Sequence, residues 1–342
     1  MAVREPGSPA VPPLPHPPLL GPGREHAAQA FDGALGDAEL LAARTALAQG
    51  RRQAARSLLL HTGDDWDRRG HRITVLAREP YAAAWARDWL LAEPGSADAS
   101  VLLALSLVRR ARCRKEDPAA AREACRAAAA LAPADPTPWL GLLRLEGAGK
   151  EADRIFAEVC RRHPDHHHAH HLMAARLAER KTEDGPDPRH EVYEFADRAA
   201  ERAPADCPLA VLPVVAHTER YRALAAAGRA PADPAASAHW SGPRARRALR
   251  AAFQWWLEWE HDDHPRRHVD LNFLAHATSC AGRCAEAAAL FRRIGQNATP
   301  APWSYPDRDP CAAFRAARAR VLGPVQDAIP RQGAFRDIHL DF

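Results

Sequence analysis

Apolar residues recur along this chain at three- and four-residue steps, and proline, glycine or short polar runs interrupt them, so the pattern predicts a succession of amphipathic helices. Asp37 stands where an N-cap belongs, and a first helix is expected over 38–49, turning at Gly50 into a second over 51–61. The turn Thr62-Gly63-Asp64-Asp65 precedes Trp66, and a short helix is expected over 69–78. Pro80 opens another, which carries Trp85 and Trp89 four residues apart and ends at Pro94. Pro118 suits the first turn of a helix, where its missing N–H costs nothing. No stretch alternates Val, Ile, Thr or Tyr with polar residues, so the expected class is all-α.

A proline-anchored hairpin rhythm runs through the middle. Ala132-Pro133-Ala134-Asp135-Pro136-Thr137-Pro138-Trp139 is echoed by Arg162-His163-Pro164-Asp165-His166-His167-His168-Ala169-His170. In each copy a helix closes on a proline and a new one opens on a ring. Trp139 and Leu142 with Ala152, Phe156, Val159 and Pro164 make one hairpin; His170, Met173, Ala174 and Pro204 mark the next. The preceding one offers Leu103, Ala104 and Leu107, then Ala121, Cys125, Ala128 and Pro133, and a later one Leu274, Ala275, Gly282, Ala287, Phe291 and Ile294. Over 97–206 and 268–300 this resembles the tetratricopeptide repeat (TPR), a helix–turn–helix of about 34 residues with Trp, Leu, Gly, Tyr, Ala, Phe and Pro at set places. Inter-helix turns here vary in length, and the tyrosine and glycine places are often empty.

The resemblance implies an α-α superhelix, a solenoid of TPR-like hairpins with a concave groove that holds a peptide or partner protein. In that register His168, His171, Asn272 and His276 face the groove, His170 takes the place of a packing ring, and Trp139 and Phe156 lie inside the stack.

Composition sets the organisation around this framework. Residues 1–25 are proline-studded and read as an extended tail. The Pro12, Pro15, Pro18 spacing also allows a polyproline II ligand. Hairpins are expected over 26–228, with a long polar turn at 182–188. A linker over 229–243 holds Pro231, Pro234 and Pro243. A Trp-rich helix over 244–260, the last hairpin and a capping helix near 311–321 fill 244–323, and an irregular tail occupies 324–342.

Alanine dominates the 46% hydrophobic share and only 6% of residues are aromatic, which favours helices packed closely by small side chains. Forty-seven basic residues against 43 acidic ones leave a net charge of +4, too even to demand a polyanionic partner. Lysine appears only at Lys115, Lys150 and Lys181, the bias that a GC-rich bacterial genome imposes. Seven scattered cysteines are no disulfide framework and suit a reducing compartment. Cys280 and Cys284 lack a second pair to complete a tetrahedral zinc site and are expected as small core residues. No run approaches the roughly 20 apolar residues of a membrane span, and no secretory layout opens the chain, so a cytoplasmic protein is expected.

Two clusters could carry chemistry. His166/His170 and His167/His171 are each four apart, the spacing of paired imidazole ligands on one helix face. The plainer reading is a helix start with one packed and several exposed histidines. His261-Asp262-Asp263-His264, with His268 and Asp270 close behind, gathers carboxylates and imidazoles, and reads as a polar helix end and turn. The two clusters could share a site only if distant hairpins met, whereas solenoid repeats touch chiefly their neighbours. The basic runs at 109–115 and 244–250 read as solvated faces, not interleaved with aromatic rings. The Trp-rich helix, apolar on more than one face, reads as core, with an exposed partner-binding patch as the alternative.

No phosphate loop or nucleophile elbow is present. The expectation is therefore a protein-interaction scaffold without cofactor or metal, with a metal-dependent enzyme built on the His166–His171 or 261–268 histidines as the alternative. A nucleic-acid or signalling accessory role ranks last.

Overall fold

A computed structural model describes residues 31–181, 190–204, 206–257 and 263–323. The two tails and the 182–188 turn lie outside the described residues, as do His261 and Asp262 and the Trp255, Trp256 and Trp259 side chains. Sixteen α-helices and no strand are found among the described residues.

Local signals explain most of the starts. Asp37 accepts from Leu40 N and opens α1 (Ala38–Ala48), which turns back into α2 (Gln53–Thr62). Asp65 accepts from Arg68 N and opens α3 (Trp66–Leu76), three residues earlier than expected. Helix α4 (Ala82–Ala92) buries Trp85 and Trp89. Ser96 caps α5 (Ala97–Arg112), and Asp117 followed by Pro118 opens α6 (Pro118–Leu131). The two proline turns of the rhythm lead into α7 (Thr137–Leu145) and, after α8 (Lys150–Arg162), into α9 (His167–Ala178). Then come α10 (Glu191–Arg202), α11 (Leu212–Ala226), α12 (Pro243–Ala252), α13 (Arg267–Cys280), α14 (Cys284–Ile294), the single turn α15 (Pro300–Trp303) and α16 (Pro310–Leu322).

The odd-numbered helices from α3 to α13 form an inner row, each packed on the next odd one, while α4 to α14 flank them on the outside. The flanking helices bury the apolar positions expected of them: Ala121, Cys125 and Ala128 on α6, Ala152 and Val159 on α8, Ala287, Phe291 and Ile294 on α14. Gly141 permits the closest approach, because a Cβ there would lie 3.0 Å from Cys125 Sγ.

Four expectations are corrected. The helix expected over 244–260 is not regular throughout: α12 passes at Phe253–Leu257 into a π-helical turn, which carries an extra residue, and residues 258–260 lie outside the described residues. Cys284 is exposed at the start of α14, since its position there faces away from α13. Trp139 and Phe156 are half-buried; Trp139 covers the Arg162 guanidinium, 4.7 Å from its ring centre. Contact is also not confined to adjacent hairpins. Arg68 on α3 donates to the Asp263 carboxylate at 2.8 Å, 195 residues away, and α3 packs on α7. Between α11 and α12, the 229–243 segment forms two 3-10 turns and buries Trp240 to 1% exposure.

Helix α3 is polar in sequence yet buried from Arg69 to Leu76. It stays there because distant elements satisfy its charges. Arg69 donates to Asp98 and, at 3.1 Å, to Asp135; Arg72 donates to Asp37 and Glu39, each at 2.8 Å. A buried ion left without its partner would cost several kcal/mol, on the order of 3–5.

Candidate functional site

The meeting of α3, α9 and α13 gathers two carboxylates and five imidazoles. Asp67, in the first turn of α3, accepts from the backbone N–H of His167 at 3.1 Å and so caps α9 from another helix. A carboxylate at a helix N-terminus is favoured by the unpaired N–H groups and by the helix dipole. His163 Nε2 lies 3.2 Å and His264 Nε2 3.7 Å from Asp67 Oδ2, and His166 Nδ1 lies 3.5 Å from Asp67 Oδ1. Burial alone would raise the Asp67 carboxyl; the surrounding imidazoles outweigh it and hold the group well below the usual range.

One turn further in, Asp270 of α13 is fully buried. His167 Nε2 stands 2.8 Å and 3.0 Å from its two oxygens, and His171 Nε2 stands 3.2 Å from Oδ1. These two nitrogens and one carboxylate oxygen lie within 4.8 Å of one another, close enough to share a metal ion. The His167 ring also lies 4.2 Å from that of His171 and 4.7 Å from that of His264. Burial pushes His167 down to about 3 and His166 to about 4, so both are neutral at pH 7. Neutral His167 can donate its Nε2 proton to ionised Asp270, which leaves its Nδ1 a buried acceptor without a partner.

The plainer reading of the 166–171 run is thus corrected: His166, His167, His170 and His171 are all buried and His168 is half-buried. His170 packs edge-on against Phe156 at 5.0 Å, the ring role expected of it. Asn272 and His276 are buried as well. Asn272 donates to the His268 and Asn297 carbonyls and accepts from Trp303 Nε1 at 2.7 Å, while His276 packs on the Trp303 ring at 5.4 Å. Of the four groove residues read from the repeat register, His168 lines the central cavity, while His171, Asn272 and His276 are buried in packing and hydrogen bonds.

That cavity, of about 300 Å³, lies in the middle of the inner row. Its walls come from α3, α5, α7 and α9, from Arg266 and Val269 at the start of α13, from the 31–35 segment and from residues 298–301. Arg78, Arg112, Arg144 and Arg266 all reach it. The four lie in separate segments at least 30 residues apart, and Arg112 belongs to the basic run 109–115 that reads as a solvated face, a reading its place in this wall corrects. Asp67 was unmarked, one acid in an ordinary Asp-rich turn.

No helix among the described residues is long and apolar enough to cross a membrane. No protein-family model matches the chain, and no curated protein or solved structure matches it.

Proposed function

We propose that this chain is an interaction module, a scaffold of TPR-like hairpins that holds a peptide or partner protein on the inner face of its helices. The observation that carries the reading is the central cavity, to which four successive inner helices contribute side chains. The His/Asp cluster fits a positioning role better than a catalytic one. Its key groups, His167 and Asp270, have no exposed surface from which to meet a substrate, and they tie α9 to α13 while Asp67 ties α3 to α9.

The test compares capture from a native extract by the immobilised full chain and by its Leu172→Arg/His168→Ala variant, which fills and alters the cavity wall. A partner held by the parent and lost by a folded variant supports the reading. A partner retained equally by both places the interaction elsewhere and sinks the inner-face assignment.

A second reading, a metal-dependent enzyme, is favoured by the convergence of His167, His171 and Asp270. Two imidazoles and a carboxylate suit zinc, iron(II) or manganese. The absence of an acceptor for His167 Nδ1 speaks against it, because a metal-bound imidazole usually gives its other N–H to a carboxylate or carbonyl. Metal analysis after dialysis against a weak chelator separates the two readings. The module reading expects no stoichiometric metal; one equivalent, lost in the His167→Ala/His171→Ala variant, puts the enzyme first.

A further inference from the structure

We infer that the central cavity is a binding site for a small phosphate monoester, whose phosphate is held by Arg78, Arg112, Arg144 and Arg266. The inference goes beyond the module reading, because it gives the inner face a small-molecule site of its own beside whatever partner docks there.

The first ground is charge. Several other arginines wholly or partly buried in this fold are paired with carboxylates, among them Arg69, Arg72, Arg180 and Arg222. None of the four cavity arginines forms an ion pair or side-chain hydrogen bond among the described residues. The one carboxylate in the wall, Asp32, is taken by Arg44 at 2.6 Å and by the backbone of its own turn. Burial first, and then repulsion from Arg112, Arg78 and Arg266, pushes Arg144 down to about 9; burial takes Arg266 to about 10 even with Asp270 and Asp67 nearby. Four converging guanidinium groups without an anion are an arrangement that a folded chain keeps only against a cost.

The second ground is independent of charge. His71 and Thr74 are 3% and 4% exposed and line the same cavity, yet His71 Nε2 and Thr74 Oγ1 have no hydrogen-bond partner. His168 Nδ1, also in the wall, has none either. Buried polar atoms are overwhelmingly paired, and several orphans around one space point to an absent ligand.

Shape supplies the rest. A carboxylate neutralises one cation and accepts in one plane. A phosphate dianion offers three terminal oxygens in a tetrahedral spread and matches guanidinium forks in several directions. Phe31, Leu35, Leu172 and Val269 form an apolar part of the wall, suited to the ring or alkyl portion of the ester. The volume suits a ligand of about mononucleotide size, near the lower end of ordinary small-molecule sites. Gly33 lets the covering turn lie against the cluster, since a Cβ there would be 3.1 Å from Arg78 Nη1.

The test is isothermal titration of the full chain, at low salt and pH 7.5, with inorganic phosphate, adenosine monophosphate, a phosphoserine peptide and an oligoglutamate peptide as separate probes. The expected result is saturable binding of adenosine monophosphate and weaker binding of phosphate. Arg144→Met and Arg266→Met should each weaken it at least about tenfold, the effect of losing one charge-assisted contact. Because each variant removes repulsion, the melting temperature without ligand should hold or rise. Failure of both small anions to bind at about 10 mM, the scale of very weak affinity, overturns the inference. So does binding of either peptide alone, or a clear fall in melting temperature in Arg144→Met, which would make that guanidinium structural. If the small anions fail while partner capture still depends on the cavity wall, this inference falls and the module reading stands.

Discussion

Acidification should unfold this protein earlier than its composition suggests, because its core holds neutral histidines. Burial keeps His71, His167, His217 and His276 near 3 and His166 near 4. In the unfolded chain the same side chains titrate near 6.5. Their folded values are depressed, so between about pH 6.5 and the folded value the unfolded state binds the extra protons. The stabilisation is therefore complete above about pH 6.5 and drains away below it. Lowering the pH from 7 to 5.5 costs about 1.3 kcal/mol for each such histidine, and about 6 kcal/mol for the five. His163 works the other way. Its hydrogen bond to Asp67 raises it above the ordinary value, so it is stabilising at low pH and offsets part of the loss. Native stabilities are commonly 5–15 kcal/mol, so most of the margin is at stake. Thermal melts followed by circular dichroism at 222 nm, at constant ionic strength, should show a fall of about 10–20 °C between pH 7 and pH 5.5. A His276→Phe variant, which keeps the contact with Trp303, should lessen the slope by about one histidine's share. A melting temperature that is flat or rising toward pH 5.5 would refute the burial of these imidazoles, and with it the meeting of α3, α9 and α13.

Two further outcomes follow from packing and from the His/Asp cluster. Asp270→Asn presents an amide N–H where two imidazoles now face carboxylate oxygens. It should cost about 2–4 kcal/mol in urea unfolding with an unchanged slope, and an unmoved midpoint would show that the network carries no stability. Gly141→Ala places a methyl 3.0 Å from Cys125 Sγ and 3.4 Å from Leu105. The clash should exceed the roughly 1 kcal/mol gained in helix propensity, leaving a net loss of about 1 kcal/mol. In a Cys125→Ala background the same change should become neutral or stabilising, and equal effects in both backgrounds would contradict the close approach of α6 and α7.

The sequence by itself determined what depends on neighbours along the chain. Caps at Asp37, Ser96, Asp117 and Asp309, prolines in first turns and three-to-four periodicity specify the helices to within a few residues. Apolar residues at three- and four-residue steps on α6, α8 and α14 likewise announce which face is buried. Tertiary structure decided the rest. Helix α3 reads as a polar surface element, and carboxylates from three other segments make its burial tolerable. The two histidine clusters read as a helix start and a polar turn that do not meet, until His264 and Asp270 are brought to His167. Arg78, Arg112, Arg144 and Arg266 become a cluster only when their four segments converge on one space. Helix formation is settled by contacts within one or two turns, which a local pattern records. The sign and crowding of buried charge are settled by groups from 29 to 195 residues apart, whose meeting no local pattern encodes.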